Sequence, residues 1–382
     1  MKKSLLALAL LGAFTASAFA EPSVTLYGRI DTGLVYTHKN LDNTAGSTDT
    51  FSMDSGVTTG SRWGLKGSED IGNAKVGFVL ESGFNSDDSD DGTSGQNNRL
   101  FGREAQVNVS GAYGTLYAGR IASVVSDSGS IGYLGDVSAF PNGFGIVGTQ
   151  KGSTGTAYDR YDNTLAYQTP TFGGLQGAIM YSFKGDAKVS DSNPKEVANA
   201  RENSGDADRY LAAGLRYKAG KAAVVLTGDM TMYSNDVNNV YHDVDNGYSF
   251  ILGGNYDFGV AKVFAKATYF DNQVNVIDSF SLIKDARDLK KAEALKGWGA
   301  ELGTNVPAFG GNFLAAVGYR DAKDVDDGSY KFKRWNAAVG YTYAFSKRTN
   351  VYGLAGYAQE KANALDRKAS GAQVGFGLVH KF

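Results

Sequence analysis

The chain of 382 residues has no cysteine and only five prolines. Without cysteine no disulfide can staple its loops, so a disulfide-held secreted scaffold is excluded. Scarce proline leaves long stretches free to pair as strands, because proline cannot donate to a ladder. Charged residues make up only 20% of the chain, and the signs nearly cancel at 38 basic against 40 acidic. That balance argues against nucleic acid as a partner and against a polybasic membrane face. Three histidines occur, His38, His242 and His380, and nothing around them suggests a catalytic triad. No nucleotide-binding glycine pattern stands between a strand and a helix. The reading is therefore of a non-enzyme with no cofactor and no metal. After residue 20 no apolar run is long enough for a transmembrane helix.

What is present is glycine (50 residues), tyrosine (22) and phenylalanine (21), at a mean hydropathy of −0.27. Hydropathy near zero does not exclude a membrane, because barrel strands alternate lipid-facing and lumen-facing residues. At the N-terminus Lys2 and Lys3 precede an apolar stretch from Leu5 to Phe14, and Ala18-Phe19-Ala20 has the small-x-small form that signal peptidase cleaves after. Residues 1–20 are expected to be a secretory signal, and residues 21–382 a single domain. Removing Lys2 and Lys3 leaves 36 basic residues against 40 acidic, a net charge of −4. An exported chain without cysteine needs another means of holding its fold. A closed barrel, in which every strand has two hydrogen-bonded neighbours, supplies one.

Period-two alternation marks the strands. Val24, Leu26, Ile30 and Leu34 share one face of the first run, with Thr25, Arg29 and Asp31 on the other. Trp63 and Leu65 alternate with Arg62, Gly64 and Lys66; Val374, Phe376, Leu378 and Phe382 share a face of the last run. Sixteen strands are expected near 23–37, 57–69, 74–85, 98–110, 113–121, 160–169, 174–184, 208–218, 221–234, 247–257, 259–271, 296–306, 311–322, 331–344, 349–361 and 369–382. The links alternate between short turns, such as Gly111-Ala-Tyr-Gly114, and long polar loops, such as 85–97, 184–207 and 272–295. Transmembrane barrels alternate in this way, with both chain ends on the periplasmic side. The expected fold is all-β, a transmembrane antiparallel barrel of about 16 strands, wide enough for an aqueous lumen. The link at about 122–159 is less charged and more apolar than the others, so it is expected to fold back into the lumen. A short helix is expected at 279–295, from Ile283, Ala286, Leu289 and Ala292.

Several segments carry a family resemblance. They are Ser23-Val-Thr-Leu-Tyr-Gly-Arg-Ile-Asp31, Ser61-Arg-Trp-Gly-Leu-Lys-Gly-Ser-Glu-Asp70, Phe101-Gly-Arg-Glu-Ala-Gln-Val-Asn-Val109, Tyr113-Gly-Thr-Leu-Tyr-Ala-Gly-Arg120, Arg160-Tyr-Asp-Asn-Thr-Leu-Ala-Tyr167 and the terminal His380-Lys-Phe382. Together they resemble Gram-negative general-diffusion porins of the β-proteobacterial and neisserial kind, over essentially the whole mature chain. The resemblance implies a 16-stranded homotrimer in outer-membrane lipid and lipopolysaccharide that passes small hydrophilic solutes and inorganic ions. It also implies an inward third external loop, whose acids face basic residues on the wall. Arg62 and Arg160 fall where the family keeps wall arginines. Gln106 stands at a position often basic, and Pro141-Asn142 replaces the loop's acidic motif. Asp127 and Asp136 remain as loop acids.

The candidate constriction residues are accordingly Arg62, Arg160, Lys66, Gln106, Arg103, Arg120, Asp127 and Asp136. A row of cations in a narrow channel concentrates anions, which points to a mild anion preference. The plainer alternative is that these side chains form salt bridges bracing the loop. Asp87, Asp88, Asp90 and Asp91 carry oxygen ligands suited to calcium, but lack an EF-hand's terminal Glu and read better as a solvated loop. Tyr27, Tyr36, Phe183, Tyr341, Tyr343 and Phe382 are expected in interfacial girdles. An adhesive barrel, or a channel specific for one substrate, is the alternative function.

Overall fold

The computed structural model describes residues 23–42, 46–88, 99–140, 160–185, 200–237, 243–274, 276 and 294–382. Its first strands are β1 (Ser23–Asn40), β2 (Ser47–Ser55), β3 (Arg62–Asp70), β4 (Ala74–Gly83), β5 (Glu104–Gly111), β6 (Gly114–Ala122), β7 (Arg160–Gln168) and β8 (Leu175–Ser182). Then come β9 (Arg209–Ala219), β10 (Ala222–Met232), β11 (Gly247–Asp257), β12 (Lys262–Gln273), β13 (Leu295–Ala308), β14 (Gly311–Asp324), β15 (Lys331–Ala344), β16 (Thr349–Ala362) and β17 (Arg367–Lys381). β2 and β3 both pair antiparallel with β1, every later strand from β4 to β17 pairs antiparallel with the one before it, and β17 returns to β1 from Arg29↔Lys381 to Asn40↔Ser370. The sheet is therefore closed.

β2 and β3 together occupy one position in the wall. β2 pairs with the outer half of β1 (Thr32↔Ser55 to Asn40↔Ser47), and β3 with its inner half (Ser23↔Ser68 to Arg29↔Arg62). The barrel thus has sixteen strand positions. The expected second strand, 57–69, begins instead at Arg62, because residues 57–61 leave the wall. Their backbone donors are taken elsewhere: the N–H groups of Thr58 and Thr59 bond the Asp31 carboxylate at 2.9 and 2.8 Å. Gly56, with φ of +71°, makes the turn. The expected strand at 98–110 likewise begins late, at Glu104. The expected helix at 279–295 lies almost wholly outside the described residues.

Alternation separates two faces. Leu165, Ile179, Leu215, Leu226, Leu252, Leu302, Val317, Val339 and Phe376 are each about half exposed. Their chain neighbours Val225 and Ile251 are fully buried. A ring of half-exposed aliphatic side chains would be costly in water and is suited to hydrocarbon. Aromatic residues border it, Tyr248, Tyr269, Trp298 and Trp335 at the long-loop end, Tyr217, Tyr256, Phe313 and Tyr343 at the other. Tyr36 and Phe382 are exposed as expected of girdle positions. Tyr27 is not one of them. It has the parity of Arg29 and Asp31, and its hydroxyl donates to Glu81 inside the barrel at 3.1 Å.

The segment after β6 packs on the other face of the wall. Val124, Val125, Tyr133, Leu134 and Val137 are buried with Met180, Tyr210, Val225 and Ile251. Ala139 and Phe140 join Phe264, Leu314, Ala338, Tyr352 and Val379. One segment can meet side chains from β8 round to β17 only across the interior of a closed ring. Wall glycines admit it: a Cβ on Gly253 would stand 2.7 Å from Val137 Cγ2, and one on Gly303 2.7 Å from Ala139 Cβ. The two faces make opposite demands on charge. Leu252→Arg, on the outer face at mid-strand, is expected to cost about 2–4 kcal/mol of stability, measured by equilibrium unfolding in lipid vesicles.

Candidate functional site

The interior wall formed by β1, β3, β4, β5, β6 and β7 carries most of the arginines in question. Alternation brings Arg29, Arg62, Glu81 and Glu104 inward. β1 and β3 set Arg29 directly opposite Arg62 in the ladder. Like charges so placed repel, and the surrounding acceptors offset that. The Thr59 hydroxyl oxygen accepts from Arg62 Nη2 at 2.7 Å and from Arg29 Nη1 at 3.2 Å. The Gly60 carbonyl accepts from Arg62 Nε at 3.2 Å. Glu81 takes Arg103 Nε at 2.7 Å and stands 3.5 Å from Arg62 Nη1.

Asp162 bridges two further arginines, Arg99 at 2.6 Å and Arg120 at 2.7 Å. Arg120 also donates to the Gly102 carbonyl at 2.7 Å. The Arg160 guanidinium lies within electrostatic reach of Arg103, Glu104, Glu81 and Arg120. Its buried Nε has no hydrogen-bond partner among the described residues. Among the described residues, arginines 29, 62, 99, 103, 120 and 160 thus stand with four acids, Asp31, Glu81, Glu104 and Asp162, two more positive charges than negative.

Glu104 ties the inward segment to this wall. Its carboxylate accepts from the Ser130 N–H at 2.7 Å and from the Ser130 hydroxyl at 2.6 Å. Gln106 reaches the same hydroxyl at 3.4 Å. Asp136 lies in a single 3-10 turn, Leu134–Val137. It bonds Arg216 at 3.0 Å and Lys218 at 2.7 Å, both on β9. Arg216 also lies over the Tyr133 ring, 4.5 Å from its centroid. Asp127 is within electrostatic reach of Lys266 on β12, whose ammonium donates to Ser138 at 3.2 Å.

Of the residues singled out from sequence, the structure brings Arg62, Arg103, Arg120, Arg160 and Gln106 together. Lys66 stands apart, four residues along β3 and so roughly 13 Å nearer the short-turn end. There it is exposed, its ammonium 5.1 Å from the Tyr27 ring centroid. Asp127 and Asp136 face β12 and β9, and the wall arginines are met by wall acids. Asn142, Asp90 and Asp91 fall outside the described residues. Arg29, Arg99, Glu81, Glu104 and Asp162 were not singled out. Arg29 had the inward parity of Asp31, and Asp162 has that of Arg160, so parity was the available signal for both.

A family profile described as Gram-negative porin matches residues 7–363. The chain belongs to the Gram-negative porin family. An outer membrane porin protein of Bordetella pertussis is 36% identical, with all of both chains covered. Outer membrane porin protein 32 of Delftia acidovorans is 30% identical over 98% of this chain and 95% of its own. The major outer membrane protein P.IB of Neisseria gonorrhoeae is 29% identical over the full length of both. Among solved structures, an anion-selective porin from Comamonas acidovorans superposes with a TM-score of 0.63 at 23% identity, covering 95% of this chain and 100% of its own. That likeness establishes the fold. This porin is therefore an outer-membrane β-barrel.

Glu104 is nearly fully buried in this porin and is the acceptor for two Ser130 donors, so its loss leaves both without their carboxylate. Glu104→Ala is expected to cost about 1–3 kcal/mol, read as a lower urea midpoint of the refolded barrel, with noisier single-channel current.

Proposed function

We propose that this porin is a passive channel for small hydrophilic solutes and inorganic ions, mildly selective for anions, and not an enzyme. The observation that carries the reading is the arginine wall with its charge excess, set beside a segment that crosses the lumen. In a narrow, low-dielectric passage a fixed positive charge concentrates anions and lowers their barrier. The whole mature chain has a net charge of −4, but most of that charge is screened within about 10 Å at 0.1 M salt. Selectivity then follows the charges at the narrowest point. The solved relative from Comamonas acidovorans, described as anion-selective, supports the same sign.

The assembly is read as a homotrimer in outer-membrane lipid, with lipopolysaccharide at the long-loop rim and residues 1–20 removed on export. A trimer form is described for one solved barrel of the same fold, from Vibrio cholerae. The half-exposed apolar belt requires hydrocarbon or a neighbouring protomer around it.

The deciding measurement is the zero-current potential of the refolded protein in a planar bilayer under a KCl gradient. The wild type should give stable stepwise conductance and a potential of anion-selective sign. In Arg62→Ala/Arg160→Ala that potential should collapse while conductance persists. Conductance with an unchanged potential would show that these arginines do not set selectivity. No conductance at all would end the channel reading.

A further inference from the structure

Arg29 and Arg62 face each other across the β1–β3 ladder, and something must hold two guanidiniums together there. The structure supplies an inward strap, residues 56–61, between β2 and β3. Its anchor is Asp31, fully buried. One carboxylate oxygen of Asp31 accepts from Thr58 N–H at 2.9 Å, Thr58 hydroxyl at 2.7 Å and Thr59 N–H at 2.8 Å. The other accepts from the Tyr352 hydroxyl of β16 at 2.7 Å. The Asp31 backbone closes the strap at both ends, its carbonyl accepting from Gly56 N–H at 2.8 Å and its N–H donating to Ser61 Oγ at 3.0 Å. A carboxylate with four donors is strongly held, since charge-assisted hydrogen bonds are about twice as strong as neutral ones.

The strap in turn holds the arginines. Thr59 Oγ1 accepts from both guanidiniums, and the Gly60 carbonyl accepts from Arg62 Nε at 3.2 Å. Arg62 Nη1 then stands 3.5 Å from Glu81, which is bonded more closely by Arg103 at 2.7 Å.

We propose that Asp31 and Thr59 are positioning residues for charge selectivity: Asp31 fixes the strap, and the Thr59 hydroxyl keeps Arg29 and Arg62 side by side and holds Arg62 back from full pairing with Glu81. This rests on the arginine wall being the selective element. Without the hydroxyl, Arg62 loses its best acceptor and turns to the one within reach, Glu81. A cation paired in that way does less to attract a passing anion.

The experiment compares zero-current potentials under a KCl gradient for the refolded full chain as wild type, Thr59→Val, Thr59→Ser and Arg62→Ala. Thr59→Val keeps the shape and removes the acceptor. It should move the potential in the cation direction by about half the shift of Arg62→Ala, because a paired charge is weakened and not deleted. Thr59→Ser restores the hydroxyl and should return the wild-type potential. If Thr59→Val does not insert, Thr59→Ala takes its place with the same expected direction. A shift in Arg62→Ala with a wild-type potential in the valine or alanine variant would overturn the positioning role alone. Equal shifts in valine and serine variants would overturn it too, since the hydroxyl would then not matter. A wild-type potential in Arg62→Ala would overturn the arginine-wall reading, and this proposal with it.

Discussion

A chain that crosses hydrocarbon as strands must satisfy every backbone N–H and C=O within its own wall, because lipid offers no partner. The closing pairs between β1 and β17 meet that requirement, and the rest of the architecture follows from it. Closure fixes which side chains look outward and which inward, with a period of two and no freedom to slip. Val, Leu, Ile and Phe can then be given to lipid, while Arg, Asp, Glu and Gln go to the lumen. A wall built so can be stable without disulfides and without a conventional apolar core.

The wall departs from regular pairing where it serves the lumen. Residues 57–61 give up their ladder bonds, and their donors go to Asp31, a side chain already inside. The loss at one place is made good within a few ångströms. The segment after β6 follows similar logic with apolar contacts. It lies on side chains of β8 to β17, meets glycine where the wall must be thin, and is tied at Ser130 and Asp136 by charge-assisted bonds. Polar groups in a half-buried lumen are costly when unpaired. Two anchors on separate strands, β5 and β9, also resist sliding better than apolar packing, which has no preferred direction.

Much of the barrel was legible because a period of two leaves a strong trace in sequence. The run 247–257 appears at the same bounds in the wall, and the number of strand positions agrees with the alternation of short and long links. What alternation could not show is where a segment with strand-like residues leaves the wall. Val57-Thr-Thr-Gly-Ser-Arg62 reads as the start of a strand, yet its hydrogen bonds go to a residue 27 positions earlier. The same limit applies to Tyr27, whose aromatic character suggested a girdle although its parity with Arg29 placed it inside. For the candidate site, parity and resemblance singled out Arg62 and Arg160. They could not find the acids of the wall, whose partners are set by the fold: Glu81 stands 3.5 Å from Arg62, and Asp162 meets Arg99 and Arg120 across 63 and 42 positions.

Those acids change how the wall should be understood. Six guanidiniums in a confined space would repel one another strongly if nothing stood between them. Salt bridges at Glu81 and Asp162 make the cluster sustainable, and each carboxylate is shared between two arginines. Sharing is what leaves positive charge over. With one acid per arginine the wall would be neutral and have little effect on ions. With none, the cost of desolvating the cations would fall on folding. Two arginines to one carboxylate is a compromise in which the barrel stays stable and this part of the wall keeps positive charge over. The hydroxyl of Thr59, which accepts from two guanidiniums without adding charge of its own, extends that compromise. It stabilises the pair Arg29 and Arg62 as an acid would, but without cancelling the field that an anion would meet.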